Sequence, residues 1–141
     1  MSISQTLCTS FKEQLFLAVH NFSTDTFNIA LYTDNANIGA DTTVYDVSLA
    51  GQVPNGLGYA AGGITLTGVT VNTSGTTAYV SFANAVWNPA TFTCRGALIY
   101  NTSKSNKAVA VLDFGADKTA LTIFTVTMPA NTATAALIRL P

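Results

Sequence analysis

Short segments in which apolar residues alternate with threonine dominate the chain from residue 27 onward. Ile64-Thr65-Leu66-Thr67 and Val69-Thr70-Val71 show the pattern most clearly, and residues 78–82 show a looser form of it. Successive side chains of a β-strand point to opposite faces, so this alternation places one face on a core and leaves the other open to water. The segments are bounded by Gly, Pro, Asn and Ser, which favour turns. The pattern therefore predicts a fold built from short β-strands.

The number and spacing of these segments predict the fold class. Nine segments have strand character and correspond to about eight strands: 27–32, 43–47, 64–67, 69–71, 78–82, 92–100, 107–114, 122–128 and 135–140. Frequent turns and a single helical segment favour an antiparallel sandwich or barrel over a parallel α/β sheet. We therefore expect an all-β, mainly antiparallel, jelly-roll-like β-sandwich in one domain, residues 1–141. A helix laid across one open sheet is the alternative.

One segment, residues 10–22, has helical periodicity. Its apolar face is formed by Phe11, Leu15, Val19 and Phe22. Ser10 and Glu13 match a capping box at the start of this helix. His20 falls in the predicted last turn, where the helix dipole favours a cationic imidazole. The polar residues 1–9 precede the helix, and we predict an N-terminal arm there that becomes ordered on assembly.

Composition excludes several classes of protein. Only 9% of the residues are charged and 48% are hydrophobic, which is typical of a chain that buries a core rather than a disordered one. A net charge of −1 and the absence of a basic stripe predict that nucleic acid is not a partner. Polar residues interrupt every apolar run before the roughly 18 residues of a membrane span. The first eight residues lack the pattern of a secretory signal, so we expect the protein to be made and retained in a cytoplasm.

The two cysteines, Cys8 and Cys94, lie far apart in the sequence. This spacing matches neither a disulfide-rich scaffold nor the paired cysteines of a zinc site. We expect two reduced thiols, with Cys94 buried in a strand, and a single disulfide between them is the alternative.

Few residues of this chain could carry catalysis. His20 is the only histidine, and no G-x-S-x-G elbow accompanies it, so we interpret it as a structural residue. Asp113 and Asp117 could serve glycoside hydrolysis or bind a hard cation, but a turn joining two strands, with Lys118 as partner of either acid, is the simpler interpretation. The oxygen-bearing residues of the 34–41 loop are Asp34, Asn35, Asn37, Gly39 and Asp41. Their spacing does not match a calcium-binding loop. The sequence therefore predicts no catalytic residue, no metal site and no cofactor.

The glycine-rich segment 56–63 and Trp87 each allow two interpretations. The spacing from Gly58 to Gly62 is one residue too long for a dinucleotide fingerprint, and a strand follows instead of a helix. We therefore expect these glycines to permit a bend or a close backbone approach. Trp87 lies in a predicted loop, where it is either a lid on one end of the core or an anchor for a partner's pocket.

Several runs of residues spread over most of the chain share a further similarity. They are Phe11–Leu15, His20–Phe22, Phe27–Thr33, Gly58–Gly63, Trp87 with Ala90–Phe92, Arg95–Tyr100 and Asn106–Gly115. Together they resemble a family of small virion structural proteins of tailed bacteriophages, whose members look like capsid decoration or cement proteins. The resemblance carries over no catalytic residue.

The resemblance implies a protein of the capsid surface that binds the major capsid protein and stabilises the virion. It also implies self-association as a homodimer or homotrimer, and no enzymatic activity. Because few lysines protect the exposed strand edges, pairing with a strand of a neighbouring subunit is an available docking mode.

Two alternative functions remain open. One is a tail, collar or head–tail joining protein. The other is a carbohydrate-binding module for host recognition or a small hydrolase of the cell envelope. A sugar-binding surface would need exposed aromatic platforms, for which the sequence offers only Trp87, Tyr45 and Tyr59 outside the strong strands.

Overall fold

The computed structural model describes residues 2–141, and its strands form three antiparallel sheets. The strands are β1 (Thr6–Leu7), β2 (Phe27–Tyr32), β3 (Ile64–Thr65), β4 (Thr70–Ser74), β5 (Thr77–Ser81), β6 (Ala85–Trp87), β7 (Thr93–Asn101), β8 (Lys107–Thr119), β9 (Phe124–Val126) and β10 (Ile138–Leu140). They are arranged as β1-β8-β7-β2-β3, β10-β5-β4 and β6-β9. One α-helix, α1 (Thr9–Phe16), is present in the described part of the chain. The predicted all-β, mainly antiparallel, sandwich-like fold is confirmed.

The core is centred on strands β2, β7 and β8. The pairing of β2 with β7 is continuous from Phe27, opposite Asn101, to Tyr32, opposite Gly96. Residues 29–32 of β2 are buried without interruption. A strand that buries consecutive residues is covered on both of its faces, so the central strands lie between two layers of chain. Residues of all three sheets belong to one hydrophobic cluster.

Several short strands differ from the predicted ones. Strands β1 and β6, which are two and three residues long, were not predicted. The predicted strand 43–47 forms only one isolated bridge, between Val44 and Lys107. Such short pairings depend on the partner strand more than on their own sequence, since intrinsic β-propensity is weak and strongly dependent on context.

The helix is shorter than the predicted segment 10–22 and begins one residue earlier. Its N-cap is Cys8, without a side-chain cap, and the predicted capping box at Ser10 is wrong. The cause is the sheet: the amide of Cys8 donates to the carbonyl of Val109, which carries the chain along β8 up to the first turn of the helix. The helix ends at Phe16 because Ala18 adopts a left-handed conformation with φ of 58°.

The segment predicted to be an arm lies against the sheet. Met1 falls outside the described residues, but the amide of Ser4 donates to the carbonyl of Ile38, and β1 pairs with β8. Ile3 is buried, and its side chain occupies the space above Gly96, where a Cβ atom would approach it to 2.9 Å. Residues 2–8 are therefore part of the fold rather than a free arm.

Both cysteines are buried free thiols, as predicted, and Cys94 lies in β7. Burial raises the pKa of Cys8 to about 11 and that of Cys94 to about 12. Both thiols are therefore protonated at neutral pH and chemically inert.

No helix within residues 2–141 combines the length and the apolar character needed to cross a membrane.

Candidate functional site

His20 belongs to a buried polar network rather than to a helix end. Its Nε2 donates to Oε1 of Gln14 at 2.8 Å, and its Nδ1 accepts from the side-chain amide of Asn101 at 2.9 Å. The same amide nitrogen donates to Oδ2 of Asp25 at 2.8 Å. Asn101 is completely buried, and the side chain of Asp25 is only 5% exposed. The network thus attaches the segment after α1 to the end of β7.

The network favours a neutral imidazole. Burial lowers the pKa of His20, and the opposing attraction of Asp25 does not reverse this shift. The predicted stabilisation of a cationic His20 by a helix dipole is therefore wrong, because α1 ends four residues earlier. For Asp25, burial raises the pKa, but hydrogen bonds from Asn101 and the Asn21 amide, together with Lys104, hold it below its ordinary value. Both imidazole nitrogens bond to amide side chains, an arrangement that explains His20 as a structural residue.

Asp113 and Asp117 lie in one strand, and the predicted turn between two strands is wrong. Strand β8 continues to Thr119, and its register against β7 shifts between Gly96, opposite Asp113, and Cys94, opposite Lys118. The extra residues form a bulge in which Asp113 Oδ1 accepts from the amide of Gly115 at 2.8 Å. The basic partner of Asp113 is Arg95 at 3.8 Å rather than Lys118. The Asp113 carboxylate is therefore explained by structural contacts within the bulge, and no catalytic role is needed to account for it.

The 34–41 loop lines a groove with a volume of about 540 Å³. The groove lies between this loop, residues 42–49 and the N-terminal segment, and Asp41 is the one ionisable residue among those that line it. Within residues 2–141, no three His, Cys, Asp or Glu side chains converge as metal ligands would.

A cluster of tyrosines fixes the glycine-rich segment to the central sheet. Oε1 of Gln52 accepts from the hydroxyls of Tyr45 and Tyr59 and from the amide of Gly62. The hydroxyl of Tyr100 donates to the carbonyl of Gly62 at 2.6 Å. Gly63 has a φ of 77°, and a Cβ atom there would lie 1.7 Å from the carbonyl oxygen of Ile29. The predicted role of these glycines in a close backbone approach is therefore confirmed.

Trp87 forms a lid on the core, as one of its two interpretations predicted. It lies in β6, is 3% exposed, and packs its ring against Tyr59, Phe92 and Phe124. The other candidate sugar-binding platforms are also engaged, since Tyr59 is buried and Tyr45 stacks on Tyr100 at 4.4 Å. The aromatic residues considered for carbohydrate recognition thus pack against other aromatic side chains of the fold.

Four exposed apolar side chains lie on segments that meet near this aromatic layer, and together we call them the apolar end. It consists of Leu57, Val86, Leu121 and Ile123, which are 69%, 48%, 82% and 52% exposed. Backbone hydrogen bonds bring its segments together: the amide of Thr91 donates to Leu57, and that of Ala90 donates to Thr122. Val86 lies opposite Thr125 in the β6–β9 ribbon, whose inward residues include Trp87 and Phe124. The segments that carry the apolar end are therefore bonded to one another and packed on the buried aromatic residues.

The apolar end is built from parts of the chain that carry no charge. No Asp, Glu, Lys or Arg occurs in residues 47–94 or in residues 119–138. All four residues of the apolar end, and the whole of β3, β4, β5, β6 and β9, come from these two stretches. The prediction of strands from alternation did not find this surface, although the two charge-free stretches are a signal that could have indicated it.

No protein-family model, curated protein or solved structure matches the chain.

Proposed function

We propose that the protein is a capsid decoration (cement) protein of a tailed bacteriophage, which binds the major capsid protein and stabilises the virion. It would be made in the cytoplasm of the bacterial host and then reside on the outer surface of the capsid. The family resemblance of the sequence supports the class of protein. The apolar end, as the surface that would contact the shell, is the observation that carries the proposal.

The energetics of the apolar end favour a role in binding. Large apolar side chains grouped on a surface mark sites that become buried against a partner. Complete burial of one such side chain contributes on the order of 1.5–3 kcal/mol. The buried layer of Trp87, Phe92 and Phe124 near the apolar end limits the conformational entropy that binding would cost. A modest contact of this kind, repeated in every copy, is sufficient for a protein that reinforces a shell.

The lack of charge agrees with the same role. Binding through uncharged segments needs no complementary charge on the shell, and salt screens it little. A decoration protein with this surface should therefore remain bound when the ionic strength is raised. Enzymatic function has no comparable support, because the buried imidazole and the bulge carboxylate are each accounted for by structural contacts.

The decisive experiment is a measurement of copy number in purified virions. Particles would be disrupted gently, and this chain would be quantified relative to the major capsid protein by mass spectrometry with isotope-labelled peptides. A decoration protein occupies symmetry-repeated shell sites, so we expect on the order of hundreds of copies in each particle. About a dozen copies or fewer would instead indicate a tail, collar or joining component, because such parts occupy one axis of the particle. That outcome, or absence of the chain from virions, would overturn the proposal.

A further inference from the structure

The β4–β5 hairpin projects from the body of the protein. Every residue from 70 to 76 is exposed, including the whole of β4. At its tip, a Cβ atom added to Gly75 would meet no other atom within 4 Å. Strand β4 is the outermost strand of its sheet, since β5 lies on its inner side and separates it from β10. The hairpin therefore presents a free strand edge to solvent.

The backbone of this edge is available for pairing. Ser74 lies opposite Thr77, and Gly75 and Thr76 form a two-residue loop between them. In such a hairpin the residues that flank the loop are a hydrogen-bonded pair, and the pattern alternates along the strand. Val71 and Thr73 consequently direct their N–H and C=O groups away from β5. Within residues 2–141, no other segment forms backbone hydrogen bonds with this outer edge.

The edge has none of the usual protection against pairing. Natural edge strands are commonly blocked by lysine, proline or a bulge. Strand β4 reads Thr-Val-Asn-Thr-Ser, and its pairing with β5 has no register shift. Threonine and valine are strong strand formers, so this edge favours pairing with another strand.

We propose that β4 pairs with β4 of a second copy of this chain, antiparallel and about a two-fold axis through Asn72. In this register Val71 lies opposite Thr73 of the second copy, so the two outward-facing residues of each strand form hydrogen-bonded pairs. The two Asn72 side chains form the non-hydrogen-bonded pair at the axis. The two three-stranded sheets then become one six-stranded sheet.

The distribution of charge favours a second copy as the occupant. A two-fold axis places a surface against itself, so any charge near the axis meets its own like charge. The hairpin lies inside the charge-free stretch 47–94, and the charged residue of its sheet, Arg139, is on β10, the strand farthest from the proposed axis. Such repulsion is therefore weak. The strand is also complementary to itself, because β-branched side chains face each other and an amide faces an amide. The inference deepens the proposed function by naming a self-association surface, and it can be tested on purified protein without particles.

The first test introduces charged residues at the proposed two-fold axis. Asn72→Lys and Asn72→Asp each place two like charges directly opposite one another, which destabilises a cross-strand pair. We expect each variant alone to dimerise about three- to fivefold more weakly than the wild type in sedimentation equilibrium at low salt. An equimolar mixture of the two variants should recover dimerisation as a heterodimer. Thr134→Lys and Thr134→Asp, at an exposed position in the 127–137 loop, are matched controls and should behave as the wild type does.

The second test uses disulfide formation to measure the register. The Cα atoms of a non-hydrogen-bonded antiparallel pair are about 4.5 Å apart, which a disulfide can span. Asn72→Cys should therefore form a covalent dimer under mild oxidation, whereas the native thiols of Cys8 and Cys94 are buried. Val71→Cys is the matched control: its two copies would be diagonal neighbours about 7–8 Å apart, too far for efficient bonding.

Three outcomes would overturn the inference. The first is a wild-type protein that remains monomeric at the highest soluble concentration. The second is equal cross-linking by Asn72→Cys and Val71→Cys. The third is cross-linking of Asn72→Cys to the shell protein in particles but not to itself, which would make the shell the occupant of the edge. Copy number in virions tests the capsid role separately, so failure of one proposal leaves the other distinguishable.

Discussion

At the scale of single residues, the buried polar groups of this protein hold chain segments in place. Asn101 is the central example, because its amide nitrogen serves His20 and Asp25 while its Oδ1 accepts from the amide of Ser103. Its sequence context, Asn-Thr-Ser, matches a glycosylation acceptor, yet the side chain is completely buried. The motif at Asn101 is thus explained by the network that closes the β7–β8 connection.

Replacement of Asn101 should destabilise the protein strongly. Asn101→Ala leaves the imidazole of His20 and the carboxylate of Asp25 without their shared donor, and unsatisfied buried groups cost about 1–3 kcal/mol each. We expect the free energy of unfolding, measured by urea denaturation, to fall by about 3 kcal/mol. Asn35→Ala changes an exposed asparagine in the 34–41 loop and should change it by less than about 0.5 kcal/mol. Equal effects of the two substitutions would contradict the role of the network.

The network also predicts how stability depends on pH. The pKa of His20 is lowered in the folded state, so the unfolded chain binds a proton first as the pH falls. The stability that depends on neutral His20 is fully present above the pKa of a histidine in the unfolded chain, about 6.5. It decreases as the pH falls from there toward the pKa of His20 in the folded protein. The pKa of Asp25 is also lowered in the folded state, so the stability that its carboxylate contributes is lost only at more acidic pH. His20→Gln should therefore flatten the dependence between about pH 7 and 5 in denaturation curves. An unchanged slope in this variant would show that His20 does not cause it.

At the scale of elements, the long 33–63 connection between β2 and β3 is positioned by close contact between its backbone and that of β2. The amide of Val53 donates to the carbonyl of Leu31, and the amide of Leu66 donates to that of Phe27. Residues on either side of the glycine-rich segment thus extend the edge of β2. The tyrosines around Gln52 then hold this connection against the sheet.

Substitution of Gly63 tests this packing. Gly63→Ala forces a Cβ atom against the carbonyl of Ile29 at a positive φ, which neither strand nor connection can relieve. We expect a loss of about 3 kcal/mol or more in the free energy of unfolding, from overpacking and backbone strain together. Gly75→Ala is the control, because its φ is also positive but its Cβ atom meets no neighbour. It should cost only about 1 kcal/mol. Similar losses at both positions would show that the close approach at Gly63 is not decisive.

At the scale of the whole molecule, the charged residues are confined to part of the chain. All 13 charged residues lie outside residues 47–94 and 119–138. The apolar end and the β4 edge belong to the charge-free part, although they are different surfaces. In the proposed function, one would contact the shell and the other a second copy, which would link neighbouring sites on the capsid.

A substitution at the apolar end should separate binding from folding. Leu121 is 82% exposed, so Leu121→Asp should leave the thermal unfolding temperature within about 2 °C of the wild type. Because the aspartate would have to be desolvated against the shell, occupancy on particles that lack this protein should fall at least about tenfold in a rebinding assay. Thr127→Asp adds the same charge at an exposed position further along the same chain segment. It should retain binding, and equal loss in both variants would exclude Leu121 from the contact surface.

The sequence by itself determined the β-class of the fold, the burial of Cys94 and the close approach at the glycines, because these follow from local alternation, hydrophobicity and backbone freedom. Tertiary structure alone decided the rest. The start of the helix and the pairing of Thr6–Leu7 depend on contacts with β8, which is distant in the sequence. The bulge at Asp113 depends on the register of β8 against β7. The apolar end likewise exists only because segments around residues 57, 86 and 121 meet in space, and alternation within one strand carries no information about which strands become neighbours.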